Sequence, residues 1–308
     1  MATFAQWING ARPRTLPTAL APVIAGIGAA NHVTETPSAA RIGGAFVVAI
    51  ALVIGVNFAN DYSDGVRGTD DDRVGPQRLV GSGAASPAAV RAAAVISFLI
   101  AAIAGVWLAL ATHWWLIIIG AVCILAAWFY TGGSRPYGYA GFGEIAVFVF
   151  FGLVAVCGTQ LVAGGRIDAV GVGIGIAIGS FSAAVLVTNN LRDIDSDADA
   201  GKRTLAVRLG DYSTRYLFAL LITLPFVTTL VLSLHHPWAL TALGLAPFAN
   251  GLGRSVVGQG SGPEHAPAKG ADLVRVLGQT GLIMLGWAII IAAVFAWGVN
   301  GVPHTHGL

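Results

Sequence analysis

The chain turns from apolar to acidic at Asn57-Phe-Ala-Asn-Asp-Tyr-Ser-Asp-Gly-Val-Arg-Gly-Thr-Asp-Asp-Asp72, which begins in the last turn of an apolar run at 41–60. A second stretch repeats this change at Asn189-Asn-Leu-Arg-Asp-Ile-Asp-Ser-Asp-Ala-Asp-Ala-Gly-Lys-Arg203. Together the two stretches contain nine of the 15 acidic residues. Carboxylates beside hydrophobic segments repel one another and are costly to desolvate, so we expect these to hold cations.

The composition is that of a membrane protein. Of the 308 residues, 56% are hydrophobic and only 10% are charged, and the mean hydropathy of +0.75 is too high for a soluble domain. The net charge of +2 gives no reason to expect a nucleic acid as partner, and no glycine pattern predicts a nucleotide cofactor. The sequence therefore predicts one integral-membrane domain over residues 1–308, with the lipid bilayer as its surroundings.

Nine apolar runs are long enough to span a bilayer, which takes about 20 helical residues. They lie near 15–31, 41–60, 88–111, 114–130, 143–163, 169–190, 214–234, 238–253 and 276–299. Each acidic stretch is preceded by two of these runs and followed by two more. We therefore predict an all-α protein with about nine transmembrane helices, arranged as two related four-helix halves plus a ninth helix around a central cavity.

The distribution of Lys and Arg predicts the orientation. If the N-terminus is cytoplasmic, 15 of the 17 Lys and Arg residues lie on the inner side, and only Arg41 and Arg166 lie outside. Inner loops of membrane proteins carry such an excess of positive charge. We expect a multi-pass protein of the bacterial cytoplasmic membrane, with the N-terminus and both acidic stretches in the cytoplasm and the C-terminus outside.

The acidic stretches have the spacing of metal-binding helix ends. Asn57 precedes Asp61 by four residues, and Asn189 precedes Asp193 by four, which places each pair on one helical face. Mg²⁺ takes one or two carboxylates from a protein and its other oxygens from water and substrate phosphate. Basic residues beside each stretch fit a diphosphate held by metal and cations together. A membrane location then favours a phosphate ester with a lipid tail.

Two other interpretations are possible. The acidic stretches could be solvated inner loops, but two stretches with the same spacing on one side of the membrane argue against that. A cation transporter needs charged groups near the middle of the bilayer, where the predicted helices contain almost none. A lipid-phosphate transporter remains as an alternative.

Several motifs carry a family resemblance. Asn60-Asp-Tyr-Ser-Asp64 and Asp193-Ile-Asp-Ser-Asp197 resemble the two aspartate-rich motifs of the UbiA superfamily of intramembrane aromatic prenyltransferases. Ala59–Gly68, Tyr130-Thr-Gly-Gly-Ser-Arg-Pro-Tyr-Gly-Tyr139 and Lys202-Arg-Thr-Leu-Ala-Val-Arg-Leu-Gly210 resemble the branch that prenylates 1,4-dihydroxy-2-naphthoate for menaquinone synthesis. The resemblance covers nearly the whole chain. One departure is Gly68, where the superfamily often has another aspartate; this chain has Asp70, Asp71 and Asp72 instead.

The resemblance implies a reaction and a set of site residues. A polyprenyl group would pass from its diphosphate to 1,4-dihydroxy-2-naphthoate with Mg²⁺, with loss of carbon dioxide; a different acceptor such as 4-hydroxybenzoate is the alternative. The implied metal ligands and catalytic residues are Asp61, Asp64, Asp193 and Asp197. The expected substrate-binding residues are Arg14, Asn57, Asn60, Arg67, Arg78, Arg135, Tyr137, Tyr139, Asn189 and Lys202.

Overall fold

The computed structural model describes residues 2–68, 78–258 and 266–298, so Asp70, Asp71 and Asp72 lie outside the described residues. All regular structure in these ranges is helical. The α-helices in chain order are α1 (Phe4–Ala11), α2 (Leu16–Val33), α3 (Ala39–Arg67), α4 (Pro87–Ala111), α5 (Leu116–Phe129), α6 (Gly143–Val147), α7 (Ala155–Gly164), α8 (Ala169–Arg192), α9 (Ile194–Asp199), α10 (Leu205–Ser233), α11 (Ala246–Val257) and α12 (Ala271–Gly298). A π-helix (Phe148–Val154) joins α6 to α7, and 3₁₀ turns lie at Pro13–Thr15, Tyr137–Ala140 and Pro237–Leu245.

The all-α membrane architecture is confirmed. Within the described ranges, seven helical segments are long and apolar enough to cross a membrane. They are Phe4–Val33, Ala39–Arg67, Pro87–Ala111, Gly143–Gly164, Ala169–Arg192, Leu205–Ser233 and Ala271–Trp297. The two other predicted spans are shorter helices. The fourth is the 14-residue α5, and the eighth is divided between the 3₁₀ turn at Pro237–Leu245 and the 12-residue α11.

Some boundaries differ from the sequence prediction. Helix α10 begins at Leu205 and contains a non-helical residue, Gly210, with φ of 77°. The predicted span began only at 214, because the charged residues before that point hid the first turns. Helix α12 begins at Ala271, five residues before the predicted start of the ninth span near 276.

Helix α8 is at the centre of the main core. It is the most deeply buried of the seven membrane-length segments and packs against α10, α12 and the π-helix. Its Phe181 lies edge-on to Trp287 of α12 and Phe226 of α10, with ring centroids 6.2 and 6.0 Å apart. A smaller core lies between α3 and α4, around Phe58 and Phe98. The two acidic stretches thus begin on helices that belong to different cores.

The π-helix contacts α8 through backbone. A Cβ atom added to Gly152 would lie 2.5 Å from the carbonyl oxygen of Gly175 and 2.5 Å from Cα of Gly179. Small residues permit such close approach between membrane helices. The contact holds the π-helix, which includes Phe151, against the middle of α8.

Candidate active site

A polar cavity of about 200 Å³ is lined by both acidic stretches. Asp64 lies at the end of α3, and Asp197 lies on the short helix α9 that follows α8. The cavity brings together eight of the predicted residues: Asn57, Asn60, Asp64, Arg78, Tyr139, Asn189, Asp197 and Lys202. Residues that are far apart in the chain therefore form one site.

Lys202 lies between the two carboxylates. Its Nζ is 3.8 Å from Oδ1 of Asp64 and 3.6 Å from Oδ1 of Asp197. Nη2 of Arg78 is 3.6 Å from Oδ2 of Asp64, and the Tyr139 hydroxyl donates a hydrogen bond to Asp64. Both aspartates are more than nine-tenths buried, so these cations offset the cost of desolvating them.

Tyr139 connects the cations to the first stretch. Lys202 Nζ lies 4.7 Å from the centroid of its ring, and the Arg67 guanidinium carbon lies 5.4 Å from it, both within cation–π range. Burial and then the charge of Asp64 raise the pKa of the Tyr139 hydroxyl. The hydroxyl therefore keeps its proton near neutral pH and acts as a donor.

Asp61 and Asp193 do not line this cavity. Asp61 accepts hydrogen bonds from the backbone N–H groups of Leu79 (2.8 Å) and Val80 (3.0 Å), so it anchors the turn before α4. Asp193 receives two hydrogen bonds of 2.6 Å from the guanidinium of Arg192. In this structure each carboxylate therefore has a local partner beside the cavity.

The remaining predicted residues lie around the site or away from it. Arg67 donates to the carbonyl groups of Thr131 and Gly133, and so ties the end of α3 to the loop after α5. Arg14 and Arg135 are exposed and do not line this cavity. The Tyr137 hydroxyl donates to the Ala126 carbonyl at 2.9 Å, and burial raises the pKa of Tyr137 to about 12.

Several polar lining residues were not among the predicted site residues, including Arg12, Tyr130, Thr131 and Asn190. Arg12 has a φ of 55°, which ends α1 and turns the chain into the Pro13–Thr15 turn. Tyr130 and Thr131 belong to a motif that the resemblance had picked out, and the Thr131 hydroxyl donates to Oδ1 of Asn60 at 2.8 Å. The sequence signal at Asn190 was its position directly after Asn189.

A second, apolar cavity adjoins the polar one. Its volume is about 650 Å³, and it lies among α2, α3, α4, α5 and the π-helix with α7. The two cavities share eight lining residues, among them Asn60, Tyr130, Phe151 and Leu186. At its other end the apolar cavity is lined by residues close to the ends of their helices: Leu108, Trp115, Val162 and Ile167. A long apolar chain can therefore lie in the membrane with its polar end between Asp64 and Asp197.

The donor set of the polar cavity fits a hard divalent cation. In the described ranges no three Asp, Glu, His or Cys side chains are grouped so that they could hold a metal by themselves. Two carboxylates from opposite sides of a cavity, with amide oxygens nearby, match an ion that takes its remaining ligands from phosphate and water. The arrangement fits a metal that arrives with an anionic substrate.

The chain matches the model of the UbiA prenyltransferase family over residues 19–269. It belongs to that family. A relative from Mycobacterium tuberculosis named 1,4-dihydroxy-2-naphthoate octaprenyltransferase is 55% identical over 300 residues, covering 97% of this chain and 99% of the relative. An Escherichia coli relative of the same name is 35% identical over 300 residues, covering 92% and 96%.

Solved structures share the fold of this UbiA-family protein. A UbiA homolog from Archaeoglobus fulgidus bound to GPP and Mg²⁺ has a TM-score of 0.67 at 12% identity, covering 94% of this chain and 99% of that one. The apo structure of a UbiA homolog from Aeropyrum pernix has a TM-score of 0.65 at 16% identity, covering 92% and 98%. The predicted family is confirmed, and this UbiA-family chain is a multi-pass membrane protein.

Proposed function

We propose that this protein transfers a polyprenyl group from polyprenyl diphosphate to 1,4-dihydroxy-2-naphthoate, a step of menaquinone synthesis. The observation that carries the proposal is the meeting of Asp64 and Asp197 around Lys202 in a cavity that adjoins a membrane-embedded apolar one. The relatives named 1,4-dihydroxy-2-naphthoate octaprenyltransferase support the choice of acceptor.

The reaction balances as a substitution on the aromatic ring. The bond between the allylic carbon and the diphosphate oxygen breaks, and diphosphate leaves with the electron pair. A carbon–carbon bond forms at the ring carbon that bears the carboxylate, and that carboxylate leaves as carbon dioxide. The product is a demethylmenaquinol.

The proposed metal is Mg²⁺, held by Asp64 and Asp197 with the Asn57 amide oxygen nearby. When bound, Mg²⁺ neutralises the charge that develops on the departing diphosphate. The metal role of Asp61 and Asp193 stays a prediction, since in this structure their carboxylates bind the backbone at 79–80 and Arg192.

The cationic residues of the polar cavity would bind the diphosphate. Lys202, Arg78 and Arg12 all line it, and guanidinium and ammonium groups form charge-assisted hydrogen bonds to phosphate oxygens. The apolar cavity would take the isoprenoid tail. Its wall also excludes water from the allylic cation, which water would otherwise capture.

We further propose that the protein lies in the bacterial cytoplasmic membrane with its site on the cytoplasmic side and its C-terminus outside. The support is the positive-inside distribution, with only Arg41 and Arg166 of the 17 basic residues on the outer side.

A product assay tests the proposed reaction. Purified protein in detergent would receive Mg²⁺, polyprenyl diphosphate and either 1,4-dihydroxy-2-naphthoate or 4-hydroxybenzoate, with products identified by mass spectrometry. We expect a prenylated naphthoquinol without the carboxylate, and no product with EDTA. Product from 4-hydroxybenzoate alone would overturn the acceptor. No product from either acceptor, with the diphosphate lipid still bound, would favour transport.

A further inference from the structure

The amide side chains that line the polar cavity are oriented by their partners. Nδ2 of Asn57 donates to the Ala11 carbonyl and to Oγ1 of Thr15, both at 3.0 Å. A carbonyl only accepts, so the Asn57 amide cannot turn over, and its Oδ1 is left for the cavity. Asn189 has the opposite orientation. Its Oδ1 accepts from Nη2 of Arg192 at 2.9 Å, and a guanidinium only donates, so Nδ2 of Asn189 is left.

Asn190 is oriented by a glutamate that does not itself line either cavity. Nδ2 of Asn190 donates to Oε1 of Glu144 at 2.8 Å, where Glu144 is 5% exposed and Asn190 is 7% exposed. Oε2 of Glu144 is buried and has no hydrogen-bond partner in the described part of the chain. A buried carboxylate with so few donors needs the one that Asn190 supplies. The Asn190 amide is thereby held with its nitrogen, Nδ2, towards Glu144 and its oxygen, Oδ1, pointing away from Glu144.

The chemistry of that oxygen limits which substrate it can contact. A diphosphate has only acceptor oxygens near neutral pH, so it cannot pair with the Asn190 Oδ1. A phenolic hydroxyl can donate to it. The neighbouring lining residues Val147, Phe151 and Leu186 are apolar, and Tyr130 adds a hydroxyl. The part of the cavity lined by these residues therefore suits an aromatic ring with a hydroxyl group, and the part lined by Lys202 suits the diphosphate.

We propose that Glu144 is a positioning residue for the aromatic substrate. It holds the Asn190 amide so that Oδ1 of Asn190 accepts a hydrogen bond from a hydroxyl group of that substrate. The inference rests on the proposed function for the identity of the acceptor. It gives Asn190 a different role from its neighbour in sequence, Asn189. Asn190 presents a hydrogen-bond acceptor to the cavity, whereas Asn189 presents a donor.

Binding and kinetics of Glu144→Leu and Glu144→Gln test the role. Leucine removes the acceptor for Nδ2, whereas glutamine keeps an oxygen there. For Glu144→Leu we expect the Kd and KM for 1,4-dihydroxy-2-naphthoate to rise about tenfold, the effect of one lost hydrogen bond. The KM for polyprenyl diphosphate should change less than about twofold, and Glu144→Gln should restore most of the affinity. Binding of the naphthoate alone is measured by quenching of tryptophan fluorescence, which needs no turnover.

Thr188→Val provides the control. Thr188 is buried on α8, the helix that carries Asn190, and it donates to the Ala184 carbonyl of that helix. It lines neither cavity, so this variant should bind both substrates like the wild type.

Each outcome decides the role. Equal weakening of both substrates in Glu144→Leu, or unchanged naphthoate binding, would overturn it. Loss of kcat in Glu144→Gln as severe as in Glu144→Leu would also overturn it, because Glu144 would then act on a proton. Absence of naphthoate binding by the wild type would do the same. If the wild type binds naphthoate and the variants behave as expected but no product forms, the positioning role stands and the proposed reaction fails.

Discussion

Asp61 and Asp64 are three residues apart and equally inaccessible, 1% and 3% exposed, yet they have different surroundings. Asp61 uses both oxygens to accept backbone N–H groups at 79–80, whereas Asp64 faces Lys202, Arg78 and the second acidic stretch. A spacing of three residues places the two side chains on nearly the same helical face. Their difference comes from the turn before α4, which folds back onto Asp61.

Substitution by asparagine should separate the two roles. Asp61→Asn leaves one acceptor for two N–H donors, so we expect a loss of stability of about 1–3 kcal/mol, seen as a lower apparent Tm in detergent. Asp64→Asn should keep its Tm closer to that of the wild type. It should lose activity about 100-fold or more, because it removes a carboxylate ligand of the proposed Mg²⁺. The two variants are controls for each other. An unchanged Tm with lost turnover in Asp61→Asn would assign Asp61 to the metal.

The sequence predicted the charged residues of the site better than the neutral ones. Asp64, Asp197 and Lys202 were identified because charge is rare in an apolar chain and therefore easy to notice. Asn190 was not selected, since its role depends on Glu144, a residue 46 positions away that only the packing of α6 on α8 brings near. Arg12 took the place expected for Arg14 because its positive φ redirects the chain before the Pro13–Thr15 turn.

At the scale of single elements, α8 begins with a charged cap. The Asp168 side chain accepts from the Gly171 N–H at 2.9 Å and from Gln160 of α7 at 2.8 Å, and its other oxygen is 2.6 Å from Nδ1 of His32 of α2. The His32 ring lies against that of His236, with centroids 5.0 Å apart. Burial alone would raise the pKa of Asp168, but the hydrogen bonds from Gly171, Gln160 and His32 outweigh burial, so its pKa is lowered.

This cap predicts a stability that depends on pH. Because the folded-state pKa is below the unfolded one, the charge of Asp168 stabilises the protein above the unfolded pKa, about 3.9. That contribution is lost as the pH falls through the folded pKa. We expect Asp168→Asn to lower the free energy of unfolding by about 1 kcal/mol or less at pH 7. The difference in Tm between this variant and the wild type, measured by thermal unfolding, should narrow towards pH 3.

Asp272→Asn is the matched control for this cap. Asp272 also lies in the first turn of a helix, but its side chain is 63% exposed. At pH 7, Asp272→Asn should therefore lower the Tm by less than Asp168→Asn does. A gap between Asp168→Asn and the wild type that is the same at both pH values would contradict the prediction.

Elements were predictable where hydropathy alone determines them. The predicted spans 88–111 and 169–190 differ from α4 and α8 by at most two residues at either end, because both ends meet polar residues. The π-helix between α6 and α7 left no such signal, since an extra residue in a helical turn does not change the hydropathy of the segment. The short α9 was likewise hidden within a polar stretch.

At the scale of the whole molecule, the apolar cavity exists because glycines face it from several helices. Gly105, Gly120 and Gly158 line it, and a Cβ atom on any of them would meet no atom within 4 Å. Their helices come from different parts of the chain, so the cavity was not visible in any one segment. The space they leave is available to the tail of a substrate.

Filling that space should alter the preference for tail length. In Gly158→Phe we expect the ratio of kcat/KM for a long polyprenyl diphosphate over geranyl diphosphate to fall about tenfold or more, because a ring occupies room for several methylene groups. The ratio is measured by competition between the two donors in one reaction. Gly251→Phe is the control, since Gly251 is exposed on α11 and lines neither cavity. An unchanged ratio in Gly158→Phe would place the tail elsewhere.

The orientation in the membrane can be tested with single cysteines. Thr36 and Ser134 are exposed in loops at opposite ends of the helices, and Cys123 and Cys157 would first be replaced by alanine. A membrane-impermeant maleimide added to intact cells should label Thr36→Cys and not Ser134→Cys, because Ser134 lies on the proposed cytoplasmic side. Both should be labelled after lysis. The reverse pattern in intact cells would invert the proposed topology.

The backbone contact at Gly152 has a consequence for how this protein tolerates change. Where a charged residue of the site is replaced by a neutral one of the same shape, we expect a folded protein with altered chemistry. Any side chain at position 152 would have to push the π-helix away from Gly175 and Gly179, and with it the wall between the two cavities. In a survey of random substitutions, Gly152 should therefore tolerate as few replacements as the aspartates do. It has no functional group, and geometry alone is the reason.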